Sequence, residues 1–156
     1  MIQLRRILMA SDFSLYSQEA QDYAVYLARS LGVDLHLLHV FEPPYYSHTG
    51  VTPRIHPEVR QWLEEIRKTE QMKLNTLTEE VRSQGVKVHA VFKEGNPFLE
   101  ILKAAEEIQT DLIVMGTHGR TGLAHVLMGS VAERVVRKAP CPVLTVRAKV
   151  PEDMKG

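Results

Sequence analysis

Apolar residues recur along this chain in two alternating rhythms. Short runs of strand length appear at Arg6–Ala10, Val33–Val40, Val86–Phe92, Leu112–Met115 and Val143–Val146. The first and fourth are continuously apolar, as in strands covered on both faces, and Val86–Phe92 alternates in steps of two. Between the runs the period changes. Ala20, Tyr23, Ala24, Leu27, Ala28 and Leu31 fall three and four apart, predicting a helix whose buried stripe they form, closed by Gly32. Val59, Trp62, Leu63, Ile66, Leu77 and Val81 predict a long second helix over Glu58–Gln84, ended by Gly85. Gly95-Asn-Pro97 opens a third, with Asn96 as N-cap and Phe98, Leu99, Ile101, Leu102, Ala105 and Ile108 buried. A fourth covers Ser130–Lys138.

The resulting order, β-α-β-α-β-α-β-α-β, predicts an α/β fold with a five-stranded, parallel, doubly wound open sheet and right-handed crossovers. No internal repeat is visible, and we expect a single domain over residues 1–148 with a frayed tail over 149–156. Glu42–Pro57 holds four prolines and one glycine and is long for a connection; it is either a variable excursion or a lid. In a sheet of this type ligands sit beyond the carboxyl ends of the strands, where strand order reverses. The turn after the first strand and the loop after the fourth are expected to meet there.

Composition narrows the class. The 156 residues include 19 basic and 19 acidic side chains, so the net charge is zero and no global field draws in nucleic acid or anionic lipid. No apolar run approaches the about 20 residues of a membrane span. Met1–Arg6 is too short and polar for a signal peptide, and the single cysteine, Cys141, excludes an internal disulfide framework. These features predict a cytoplasmic protein.

The chemistry concentrates after the fourth strand, in Met115-Gly-Thr-His-Gly-Arg-Thr-Gly-Leu-Ala-His-Val-Leu-Met-Gly-Ser130, which carries four of the nine glycines. A strand that opens into a glycine-rich loop and then a helix start suits phosphate, because the first helical amides are unpaired and partly positive. The alternative is a loop that needs glycine only to turn. Neither Gly-x4-Gly-Lys-Ser/Thr nor a Gly-x-Gly-x-x-Gly after the first strand is present. Ser130-Val-Ala-Glu133 reads equally as a capping box with Ser130 as N-cap, or as a hydroxyl that meets a phosphate oxygen; the Ser130 and Val131 amides are the firmer ligands. Arg120 is either a neutraliser of polyphosphate or a solvated loop charge, and His118 is a candidate for proton transfer.

The spacing Gly116-x2-Gly119-x9-Gly129-Ser130 resembles the nucleotide loop of the ATP-binding universal stress proteins. Ile7–Ser14 is similar to that family's first strand and Asp-containing turn, and Pro140–Val146 to its last strand, so nearly the whole chain is covered. The resemblance implies a Rossmann-like fold of the adenine nucleotide alpha hydrolase-like type. It implies ATP, accompanied by Mg2+ that needs no dedicated protein cage. Asp12, with Ser11 beside it, would face the nucleoside, unless Asp12 only caps the turn. Val40 would offer its backbone to the adenine edge, with Ala10 and Met115 as apolar walls. Gly116, Gly119, Arg120, Gly129, Ser130 and Val131 would surround the phosphates, with His118 among the nucleotide-binding residues of the same loop. Ala10 and Ala132 stand where some relatives carry side chains with more to offer a nucleotide. The resemblance further implies a homodimer through Val143–Val146 and a nucleotide-dependent regulatory role in stress response. A slow ATPase or nucleotidyl transferase, and a nucleotide-free dimeric scaffold, are the alternatives.

No metal site is expected. His36 and His39 are three apart on a strand and point to opposite faces, and His48 and His56 have no ligand-spaced companions. Cys141, between two prolines, reads as a small strand-edge residue, and Arg134, Arg137 and Lys138 as charges suited to a helix C-terminus.

Overall fold

The computed structural model describes residues 1–44, 54–120 and 127–149. Most of the proline-rich excursion, Gly122 and the expected tail beyond Lys149 lie outside these residues. The elements are β1 (Arg6–Ala10), α1 (Leu15–Leu31), β2 (Asp34–Phe41), α2 (Pro57–Ser83), β3 (Val88–Glu94), α3 (Pro97–Ile108), β4 (Leu112–Gly116), α4 (Ser130–Lys138) and β5 (Val143–Val146). All strands are parallel, in the order β3-β2-β1-β4-β5. β1 pairs with both β2 and β4, so strand order reverses beside it.

Two apolar layers sandwich the sheet. On one face α1 and α2 bring Ala20, Ala24, Ala28, Leu74 and Val81 onto Ile7, Met9, Leu35, Leu37 and Val114. On the other, α3 and α4 bring Phe98, Ile101, Ala104, Ala132 and Val135 onto Leu8, Leu38, Ile113 and Met115. Adjacent sheet residues feed opposite layers, which is why the runs of β1 and β4 are apolar at successive positions.

The helices depart from their predicted stripes in instructive ways. In α1 the buried arc is Ser17, Ala20, Ala24, Val25 and Ala28, which leaves Tyr23 on the flank and Leu31 at the exposed last position. α2 has 27 residues and is about 40 Å long, whereas the eight residues of β2 span about 27 Å. Its first turns overhang the sheet, so Val59 and Trp62 are exposed where burial was expected. In α3, Leu99 is likewise exposed and Ala104 takes the buried place. The Asn96 cap is as expected, its side chain accepting from the Leu99 amide at 3.2 Å.

Candidate functional site

The turn after β1 is built by its own side chains. Asp12 Oδ1 accepts from the Ser14 amide at 2.9 Å, and Ser11 Oγ accepts from the Phe13 amide at 3.1 Å. Phe13 adopts φ +63°, which is uncommon for a bulky residue. Its ring stacks on His39 at 4.1 Å, which holds it there. One oxygen of Asp12 thus serves the turn, as the capping alternative required. The other faces Gly119, where an added Cβ would lie 2.9 Å from Oδ2.

The loop after β4 closes at a neck. The Gly129 amide donates to the Thr117 carbonyl at 2.7 Å, and the Thr117 amide donates to the Val146 carbonyl at 3.0 Å. A Cβ on Gly116 would stand 2.8 Å from the Tyr16 carbonyl oxygen, and one on Gly129 would stand 3.2 Å from the Thr117 oxygen. These glycines therefore let backbone approach backbone. Any advantage to a ligand follows from the loop shape they permit.

α4 begins at the neck with Gly129 as its N-cap, φ −67° and ψ 159°. Ser130 is the first helical residue, not the cap: the Glu133 amide bonds the Gly129 carbonyl at 3.0 Å, and no side-chain cap bond forms. The capping-box reading is overturned because the bond between Gly129 and Thr117 starts the helix one residue earlier than the Ser-x-x-Glu pattern suggests. The exposed Ser130 hydroxyl stands at the cleft beside the first-turn amides of Ser130, Val131 and Ala132, which have no intrahelical acceptor.

All the candidate residues meet in one cleft of about 470 Å³ at the carboxyl ends of β1, β2 and β4. Ala10, Val40 and Met115 form an apolar floor. Ser11 and Asp12 line the cleft from the first turn, and Gly116, His118, Gly119, Arg120, Gly129, Ser130 and Val131 from the glycine loop and the start of α4, with Gly119 and Arg120 against Asp12. Thr117 Oγ1 and His118 Nδ1 are 3.0 Å apart. Cys141 is half-buried away from the cleft, and burial pushes its thiol up, toward the inert form.

The structure adds a group that motif reasoning missed. Glu70 projects from the buried face of α2 into the cleft. Its Oε2 lies 2.7 Å from His39 Nε2, whose Nδ1 lies 2.8 Å from the Ser11 carbonyl oxygen. Arg120 donates through Nη2 to Glu70 Oε1 at 3.2 Å and through Nε to the Asp12 carbonyl at 2.9 Å. Arg120 is thus no free loop charge: it ties the glycine loop to α2 and to the first turn. The readable signal was position, since Glu70 falls on the same face as Leu63, Leu74 and Val81.

With this geometry in place, the likenesses to known proteins become informative. Residues 3–147 match the model of the universal stress protein family. A universal stress protein of Methanocaldococcus jannaschii, MJ0531, is 37% identical over 147 residues, covering 92% of this chain and 82% of that one. The solved structure of MJ0577, from the same organism, superposes with a TM-score of 0.73 at 28% identity, covering 96% of this chain and all of that one. A universal stress protein of Archaeoglobus fulgidus, solved in complex with dAMP, shares the fold with a TM-score of 0.62 at 21% identity, over 94% of this chain and all of that one. No helix among the described residues is long and apolar enough to cross a membrane. With a Rossmann-like sheet and these likenesses over nearly its whole length, the chain belongs to the universal stress protein family.

Proposed function

We propose that the cleft binds ATP with Mg2+ and that its occupancy regulates the protein. The observation that carries this reading is the convergence of an apolar floor (Ala10, Val40, Met115), a carboxylate (Asp12) and the open N-terminus of α4 in one cleft. Each feature suits one part of a nucleotide. The floor takes the base, Asp12 accepts from ribose hydroxyls or the adenine amine, and the Ser130 and Val131 amides take phosphate oxygens. Mg2+ is carried by the phosphates and water.

Arg120 supplies the regulatory element. A polyphosphate competes with Glu70 for its guanidinium, so binding exchanges a contact that ties the loop to α2 for one that ties it to the ligand.

The test is calorimetric titration of nucleotide-free protein with ATP and Mg2+, after mass spectrometry of any nucleotide released on denaturation. Micromolar binding, about −8 kcal/mol, supports the reading. Asp12→Ala should weaken ATP and leave pyrophosphate nearly unaffected; equal losses would remove Asp12 from the nucleoside pocket. Folded protein that neither carries nor takes up nucleotide would leave the dimeric scaffold as the better account.

A slow ATPase gains one observation, the Glu70 carboxylate in the cleft. Both of its oxygens are engaged, by His39 and by Arg120, so it acts as a base only once Arg120 has moved. Phosphate release in a turnover assay separates that reading from simple binding.

A further inference from the structure

We propose that Asp34, His36 and His89 form a binding site for a divalent transition-metal ion of the zinc class, at the end of the sheet opposite the cleft. The strand period of two places Asp34 and His36 on one face of β2. The β2–β3 register then sets His89 directly beside His36. One ligand atom from each residue lies within 4.8 Å of the other two. His89 Nε2 and Asp34 Oδ2 are 3.3 Å apart, about the edge of a tetrahedron around an ion with bonds of about 2.0–2.1 Å.

The His36 and His89 rings stack at 4.7 Å with 24° between their planes. To reach one ion together with His36, the more exposed His89 side chain would have to turn. His36 Nε2 is buried and has no hydrogen-bond partner among the described residues, which leaves it available to a bound water or ion. Two imidazoles and a carboxylate suit Zn2+ with water completing its shell, whereas Mg2+ and Ca2+ prefer oxygen alone.

Two cations face the cluster and weaken the site. Lys87 Nζ lies 3.0 Å from Asp34 Oδ2 on a largely exposed side chain, so a divalent ion displaces it into solvent. Arg6 is opposite Asp34 in the β1–β2 register, but its guanidinium is engaged by the Ile108 carbonyl at the end of α3.

The test is titration of the nucleotide-free full chain with Zn2+ by calorimetry, and with Co2+ by visible absorption. We expect one ion at this site and a low-coordinate Co2+ spectrum. His89→Ala should weaken binding by at least about tenfold, the scale on which even supporting partners of metal ligands act. Asp34→Asn should do the same, and Lys87→Ala should tighten binding. His89 and Lys87 are exposed, so their variants should fold, with circular dichroism as the check. Equal Zn2+ affinity in wild type and His89→Ala would place the ion elsewhere and overturn the proposal. So would the absence of saturable binding at millimolar Zn2+, or weaker binding in Lys87→Ala.

Discussion

Glu70 is the residue on which the cleft depends most. Both ring nitrogens of His39 are engaged by oxygens, Nδ1 by the Ser11 carbonyl at 2.8 Å and Nε2 by Glu70 Oε2 at 2.7 Å. His39 is almost fully buried and the Glu70 side chain is 12% exposed, so removing one partner strands the other away from water. Glu70→Ala should therefore lower stability by about 3 kcal/mol, read as a lower urea midpoint with an unchanged slope. A loss below about 0.5 kcal/mol, the level of an ordinary surface change, would mean that water satisfies His39 and that the pair is not structural. The buried His39 shows how a histidine on an apolar strand is more readily a satisfied core group than a metal ligand. His36, three residues on the other side of the strand's alternation, has no such partner, and that contrast separates their roles.

At the scale of elements, the turn that feeds β4 is pinned to the start of β1 by one side chain. Asp111 Oδ2 accepts from the Arg5 amide at 2.8 Å and from the Arg6 amide at 2.9 Å. The Arg5 amide, the larger cause, and the Arg6 amide hold its carboxyl below the usual carboxylate range. A depressed folded-state value contributes stability that is present above the unfolded value of 3.8 and is lost as pH falls through the folded value. Asp111→Asn should consequently lie below wild type in urea midpoint at pH 7, and the gap should close as pH falls below 3.8. A gap that is constant with pH would show that the carboxylate charge is not what holds the two strands. The same scale explains the shift of the α4 cap from Ser130 to Gly129. The Gly129–Thr117 neck sets where the helix begins, and no local pattern encodes a hydrogen bond across twelve residues.

At the scale of the whole molecule, β3 and β5 are the two edge strands of the sheet. Carbonyls of Pro142 and Val146 face β4, so by alternation the polar groups of Val143 and Thr145 face outward. We propose that a second copy covers this edge, since an apolar edge strand left bare invites pairing. Light scattering should give a dimer, and Thr145→Pro, which removes one outward amide, should shift it toward monomer. A wild-type monomer at all concentrations would remove β5 as an interface.

Much of this molecule was legible in its sequence. Element type follows from period: continuous apolar runs become central strands because β1 and β4 are covered on both faces, and three-four spacing becomes helices because one face is buried. The cleft was legible because Asp12 and the glycine loop each carry a local signature, and alternating β-α order brings their strand ends together. Several features depended on tertiary structure alone. Trp62 is exposed because α2 outruns the sheet, and Arg120 is tied down because a helix distant in sequence delivers Glu70 beside it. Asp34, His36 and His89 form a cluster only through the β2–β3 register. Local sequence encodes the period and chemistry of each element, whereas contacts between elements depend on lengths, registers and crossing points that emerge only when the layers pack.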